Sequence, residues 1–263
     1  MNDTSDDISY YQLSNPTSIS GYSIGDIIPL VDGWVIISDL NTNRIIIMNG
    51  ITGEVAKKYQ LNASPMEIEF DFDNNFILAT QGTSKKIAKI DVMSGAISYI
   101  ATSYAAKTLT MGENNQLFVC TQEGIFNDNK ISLIDLKNNV ELKSFPFTED
   151  SIGFIKYDKV FHNLFLGVEG ISPSYLYRYS YDAQNQLLNY IEKNWNPGSN
   201  GQDLAVSNDG LHLAFVCGGG NSSGYGIDDF DPSDIQNNNG DGTSTTPRYK
   251  NVWFQGTLGF KFY

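Results

Sequence analysis

The feature that most constrains this chain is a recurrence. A short apolar strand returns five times, as Trp34-Val35-Ile36-Ile37, Phe76-Ile77-Leu78-Ala79, Leu117-Phe118-Val119-Cys120, Leu164-Phe165-Leu166-Gly167 and Leu213-Ala214-Phe215-Val216. Their starts lie 42, 41, 47 and 49 residues apart, a period that suits a unit of four short strands. Asp32-Gly33, Asn74-Asn75, Asn114-Asn115 and Asn208-Asp209-Gly210 precede four of the five, residues that tolerate the positive φ of a tight hairpin. The fourth unit departs, with Asp158 and His162-Asn163 in that place. A third strand closed by a second turn follows, clear at 89–95 and 133–139 and weaker at 181–185. Fourth strands are expected over 55–61, 97–102, 141–147 and 187–193, and no stretch sustains a helical period.

A sheet of this kind is apolar on both faces and must stack on its neighbours; piling units around one axis limits exposed edges. The expected fold is all-β: a single β-propeller domain over 1–263, built of four-stranded antiparallel blades. Five units are counted, as a ring or as part of a six- or seven-bladed one. A β-sandwich or an open array with coincidental spacing is the alternative. Residues 1–26 form an N-terminal segment, in which Tyr10-Tyr11-Gln12-Leu13 matches Tyr59-Gln60-Leu61 closely enough to be a candidate closing strand. Residues 251–255 and 260–263 would complete the fifth unit.

Two stretches carry a resemblance, Ile90-Asp91-Val92-Met93-Ser94-Gly95 and Leu204-Ala205-Val206-Ser207-Asn208-Asp209-Gly210. Together they resemble the YVTN-type (surface-layer-like, WD40-like) β-propeller repeats of bacterial proteins, over roughly 27–218. The shared motifs are hairpin chemistry, so the resemblance implies architecture and leaves activity open. The Tyr-Val-Thr-Asn tetrapeptide itself is absent, and units one and four are degenerate.

Charge narrows the partners. Seventeen basic residues stand against thirty acidic ones, a net charge of -13. Such a surface repels phosphate backbones, so no nucleic-acid partner is expected, and it attracts cations. No apolar run approaches the roughly 18 residues of a membrane helix, so no membrane span is expected. The start shows no basic region followed by an apolar run, which suits either a cytosolic start or a chain cut after a leader. Polar residues are mainly Asn, Ser, Thr and Tyr, pointing to an extracellular, periplasmic or cell-surface location. Cys120 and Cys217 end similar apolar runs and read as small buried hydrophobes, with neither metal-ligand spacing nor a disulfide framework.

In a propeller, second-to-third-strand connections share a face with the links between blades. They are short near 40–43 and 81–85, longer through 123–129 and 170–174, and longest in a surface-loop insertion at 218–247. Insertions confined to one face commonly build a binding surface. That face is expected to present Glu123, Phe126, Tyr175, Tyr225 and Phe230; the alternative is a loop that is merely tolerated. Within the insertion, Asn237, Asn239 and Asp241 take the first, third and fifth positions of a calcium loop, with Gly242 sixth. Arg248 stands where a bidentate Glu belongs, and the competing reading is a flexible Asn/Gly/Asp loop. No other cofactor is indicated.

Tyr175, Tyr177, Tyr179 and Tyr181 share one side of a strand, as a shelf for sugar rings or as a ladder packed between blades. Catalysis finds little support. His162 and His212 sit near hairpin turns, so His-metal and Ser-His-Asp arrangements lack parts. Gly218-Gly219-Gly220 precedes no helix. Glu149-Asp150 and Asp203 become acid/base candidates only if they converge at a central channel. The expectation is therefore a non-enzymatic binding or scaffold propeller that recognises a protein or a glycan. The alternatives are a calcium-dependent lactonase or hydrolase on the same scaffold, and a structural surface-layer module.

Overall fold

The computed structural model describes residues 21–122, 129–148, 152–168, 175–195, 201–207, 209–211, 213–218, 225–230 and 252–253. Their strands form five four-stranded antiparallel sheets, each in simple sequence order. Blade one holds β1 (Ile24–Pro29), β2 (Trp34–Asp39), β3 (Arg44–Asn49) and β4 (Val55–Gln60). Blade two holds β5 (Ile68–Asp71), β6 (Phe76–Thr80), β7 (Lys86–Asp91) and β8 (Ile97–Ala101). Blade three holds β9 (Ala105–Met111), β10 (Gln116–Gln122), β11 (Asn129–Asp135) and β12 (Val140–Phe147). Blade four holds β13 (Ile152–Asp158), β14 (Asn163–Val168), β15 (Tyr175–Asp182) and β16 (Leu187–Trp195). Blade five holds β17 (Gly201–Val206), β18 (Leu213–Gly218), β19 (Tyr225–Phe230) and β20 (Val252–Trp253). This is the β-propeller expected from the period. The inner strands β1, β5, β9, β13 and β17 touch in succession.

Local turn chemistry explains why the strands end where they do. At the hairpin after the inner strand, Asp71 Oδ1 accepts from the amides of Asp73 and Asn74, each at 3.1 Å. Asp158 Oδ1 does the same for Val160 and Phe161, at 2.8 and 3.3 Å. The left-handed position of this hairpin is filled by Asp32 (φ 55°), Asn75 (φ 57°), Asn115 (φ 60°), His162 (φ 57°) and Gly210 (φ 72°). The fourth unit's departure is thus a substitution within an unchanged turn. Asn49, Asp91, Asp135 and Asp182 cap the hairpin after the third strand in the same manner.

Packing runs between neighbouring sheets. Ile36, Ile45 and Tyr59 of blade one bury against Ile68, Ile77 and Ala88 of blade two. Leu78 and Ile87 meet Leu109, Leu117 and Ile134 of blade three. Phe118, Ile131 and Phe147 meet Ile155, Leu164, Tyr177 and Tyr181 of blade four. Phe154, Phe165 and Leu176 meet Leu204 and Leu213 of blade five. Lysines then tie one blade to the next turn along. Lys57 Nζ donates to the Val92 carbonyl, Lys89 Nζ to that of Leu136 at 2.5 Å, and Lys143 Nζ to that of Gln186 at 2.9 Å.

One expectation changes here. β19 pairs with β18 from Gly218↔Tyr225 to Leu213↔Phe230, inside the segment read as a loop from 218 onwards. The second-to-third connection of blade five is therefore 219–224, no longer than its counterparts at 123–128 and 169–174. The long segment is instead 231–251, between the third and fourth strands, and it leaves from the opposite edge. Tyr225-Gly226-Ile227-Asp228-Asp229-Phe230 reads as a loop because its Gly and Asp residues have low strand preference; pairing with an apolar neighbour overrides that. The candidate closing strand in 1–20 lies outside the described residues.

Candidate functional site: the axial channel and its two mouths

Side chains from the five inner strands meet around the axis, and bulges aim them. The pairing register shifts between Ile24 and Ile27 in β1, between Cys120 and Thr121 opposite β9, between Ile152 and Phe154 in β13, and between Gly201 and Asp203 in β17. In blade two, Met66 donates to the Thr80 carbonyl while the Thr80 amide returns to Glu67, the same two-against-one arrangement. A bulge turns a side chain out of the regular pleat. One level of the channel is thereby set. Asp26, Glu67, Thr108, Phe154 and Asp203 each precede the residue paired with Ile37, Ala79, Val119, Leu166 and Phe215 respectively. Two residues on, Ile28, Glu69, Thr110, Lys156 and Ala205 form a second level.

The first level lies toward the edge that carries the links between blades, here the upper edge. Asp26 Oδ2 accepts from the Ile68 amide at 2.9 Å, and its Oδ1 from the Ile27 amide at 2.7 Å, so it joins blade one to blade two. Ser38 supports it, with Oγ accepting from the Asp26 amide at 2.8 Å and donating to the Met66 carbonyl at 3.0 Å. Asp203 repeats the local part of this motif, with Oδ1 accepting from the Leu204 amide at 2.7 Å. The Thr108 hydroxyl is wholly buried beside the Glu67 carboxyl, with which it shares a hydrogen bond.

Lys156 is the hub of the charge. Its Nζ lies 3.9 Å from Glu69 Oε2, with 28% and 23% of the two side chains open onto the channel. Burial works against the ammonium, but Glu69, Glu67, Asp203 and Asp26 together hold its pKa above the usual lysine value. Glu69 is thus the ion-pair partner of Lys156, and the other three acids act on it at longer range. Burial pushes the Glu67 carboxyl up to about 8, with Lys156 and Thr108 pulling down and Asp26 and Asp203 pushing further up. Burial also raises Glu69 and Asp26, partly offset by Lys156 in the first and by backbone N–H donors in the second. Among the described residues, no three Asp, Glu, His or Cys side chains converge on one point that could hold a metal ion.

Toward the lower edge the channel widens into a cavity of about 330 Å³. Its walls are the ends of the inner strands, including Glu69, Thr110, Lys156 and Tyr157, and the hairpins after them, with Phe72 and Val160. Tyr157 Oη donates to Glu113 Oε1, and His162 Nδ1 stands against the same oxygen. Burial, then the bond to Glu113, keeps the Tyr157 hydroxyl strongly protonated. Around this mouth the hairpin tips are apolar and exposed: Val31, Phe72 (66%), Val160, Phe161 (52%) and Leu211, with Ile51 and Met93 on the neighbouring turns.

The residues expected at the binding face are distributed differently. Glu123 and Phe126 lie outside the described residues, as do Asn237, Asn239 and Asp241 of the candidate calcium loop, Glu149-Asp150 and His212. Tyr175 begins β15 at the upper edge, half-buried under Lys193 Nζ at 4.0 Å from its ring centroid. Tyr225 begins β19 at that same edge, but Phe230 ends it at the lower one, because an antiparallel strand six residues long crosses the whole blade. The tyrosine series packs between blades: Tyr177 and Tyr181 are buried, with Phe147 and Phe118 rings edge-on at 5.0 and 4.8 Å. Cys120 is buried, and burial raises its thiol well above the usual value, as a structural cysteine requires. Of the acid candidates, only Asp203 is placed, and it does reach the channel. Asp26, Glu67, Glu69 and Lys156 were not singled out from the sequence; their chemistry rests on register, and no local motif marks them.

The fold is similar to a solved structure described as Kuenenia stuttgartiensis hydrazine synthase. The likeness covers 85% of this chain and 67% of that one, with a TM-score of 0.65 and 14% sequence identity. At that identity it shows the fold alone. No protein-family model matches the chain, and no curated protein matches it. Among the described residues, no helix is long and apolar enough to cross a membrane.

Proposed function

We propose that this chain is a non-enzymatic, exported or cell-surface binding propeller of the YVTN kind, whose lower face receives a protein ligand. The observation that carries the reading is the set of exposed apolar hairpin tips on the edge where the cavity opens, two of which, Phe72 and Val160, line it. Scattered exposed apolar residues are ordinary, but a set gathered around a cavity on one face marks an interaction surface. The longest connection of the chain, 231–251, also departs from this edge after Phe230. Val, Leu, Met and Phe tips offer area without hydroxyls, which suits a protein better than a glycan. The tyrosines that a sugar would stack on are engaged between blades three and four.

The test screens the chain against a glycan array and an array of protein ectodomains, beside the double variant Phe72→Ser/Phe161→Ser and the upper-edge control Met66→Ser. Protein hits that vanish with the double variant and survive the control support the proposal. Hits that survive the double variant, hits confined to glycans, or an absence of hits would overturn it.

A further inference from the structure

The cavity at the lower mouth joins apolar sides to a charged inner end. Phe70, Phe72, Met111 and Val160 line its sides, with the Phe70 and Phe72 rings edge to face, centroids 4.7 Å apart at 74°. At the inner end Lys156 Nζ and Glu69 Oε2 stand 3.9 Å apart, and both side chains are partly open. That separation is too long for a hydrogen bond. Among the described residues the Lys156 ammonium, with its three N–H groups, donates no hydrogen bond. The neighbouring polar groups are engaged: Asp71 and Asp158 accept from amides of their own hairpins, and Tyr157 Oη donates to Glu113. What the inner end offers is therefore one donor and one acceptor, side by side at the bottom of an apolar slot. An oxygen about 2.8 Å from each of two such atoms subtends an angle of about 90°, which a hydroxyl meets by accepting from one and donating to the other.

We propose that this cavity receives a tyrosine side chain of the protein ligand, its ring against Phe70, Phe72 and Val160 and its hydroxyl bridging Lys156 and Glu69. The inference rests on the lower face being the docking surface, and it names what the partner must carry there. Other side chains meet the same walls less well. A carboxylate would suit Lys156 but would face Glu69, Asp71, Asp73 and Asp158, and a lysine or arginine would meet Lys156 and Lys159. Tryptophan donates but cannot accept from the ammonium, and phenylalanine does neither. Asparagine, glutamine and histidine can do both, but lose more hydration against a wall of Phe70, Phe72 and Met111. Serine and threonine have the hydroxyl but leave most of a cavity of about 330 Å³ unfilled. A tyrosine seated in a pocket beside an apolar rim is also the kind of residue that carries much of an interface's binding energy.

Chemical-shift titrations of the full chain with p-cresol, toluene and p-toluate test the cavity without the partner in hand. p-Cresol, which is the tyrosine side chain itself, should bind with a Kd of about 1 mM or tighter, in range for eight non-hydrogen atoms. Toluene and p-toluate should bind about tenfold more weakly or worse. Glu69→Gln keeps the shape and removes the charge, so it should weaken p-cresol about fivefold and leave toluene unchanged. Val160→Trp, at an exposed hairpin position, should exclude all three probes. Absence of shifts at the cavity residues up to about 5 mM p-cresol, well past the expected Kd, overturns the tyrosine. So does toluene or p-toluate binding as tightly as p-cresol, or a p-cresol affinity unaltered in both variants. Glu69 lies beneath the rim, so protein hits from the ectodomain array should also weaken about fivefold with Glu69→Gln. Hits that vanish with Phe72→Ser/Phe161→Ser yet ignore Glu69→Gln would overturn the tyrosine and leave the docking face standing.

Discussion

The two ends of the channel solve opposite problems with the same five strands. At the upper level the inner strands present Asp26, Glu67, Thr108 and Asp203, held by bulges and by backbone N–H donors, and the chemistry faces inward. At the lower edge the same strands run out into short hairpins whose tips, Phe72, Val160 and Phe161 among them, face outward. The difference lies in what surrounds each group. A carboxylate enclosed by protein has its charge decided by its neighbours, whereas a phenyl ring on a hairpin tip is decided by water. Interior groups should therefore govern stability and its pH dependence, and tip groups should govern association.

The sharpest way to break that contrast is at Gly167. Phe154 fills blade four's share of the upper level, and a Cβ on Gly167 would lie 1.6 Å from its ring. Gly167→Ala should therefore destabilise the protein by about 3 kcal/mol or more through overpacking, read as a lower urea midpoint. A variant within 0.5 kcal/mol of the parent, roughly the scatter of neutral surface changes, would show that the upper level is not tightly packed there.

Next in size is Lys156→Met, which keeps the side-chain volume and removes the ammonium that pairs with Glu69. A loss of about 2 kcal/mol is expected at pH 7, below the range for a fully buried pair because both partners keep some opening to the channel. The loss should shrink toward pH 5, as the raised Glu69 carboxyl takes up a proton; Glu67, pushed up to about 8, is already mostly neutral at pH 7. An equal loss at both pH values would mean that packing, rather than charge, is what Lys156 supplies.

Glu67 predicts the slope itself. Burial pushes its folded pKa up to about 8, above the 4.5 of a glutamate in water. The folded state therefore binds more protons than the unfolded one between those limits, and its stability falls as pH rises through them. One proton sets a ceiling of about 1.4 kcal/mol per pH unit on that slope. Glu67→Gln should flatten the decline between pH 5 and 8 in urea titrations; an unaltered slope would place the coupling elsewhere.

The smallest stability effect belongs to the tips. Phe72→Ser/Phe161→Ser should change the unfolding free energy by no more than about 0.5 kcal/mol, because exposed rings contribute little to folding. A larger drop would show these rings packed against other parts of the chain, and the lower face would lose its claim as a free surface.

Much of the wheel was legible before any coordinates. The second, third and fourth strands were readable because they carry apolar runs and end on Asp or Asn turns, which are local signals. Even the aberrant fourth hairpin proved regular, His162 taking the position that Asn75 and Asn115 fill elsewhere. The inner strands were not legible in the same way, being broken by bulges and occupied by Asp, Glu, Thr and Lys. Blade five misled because Gly226, Asp228 and Asp229 imitate a loop, which moved the long connection to the wrong face.

By itself, the sequence determined the repeat, its four-strand content and the acidic balance, since these depend on spacing and composition within a few residues of each other. Only the tertiary structure decided which acids meet. Asp26, Glu67, Glu69, Lys156 and Asp203 span nearly 180 residues of chain, and they share one space because five separate strands approach a common axis. A carboxylate's pKa depends on distance and burial, and neither quantity exists until the blades have stacked.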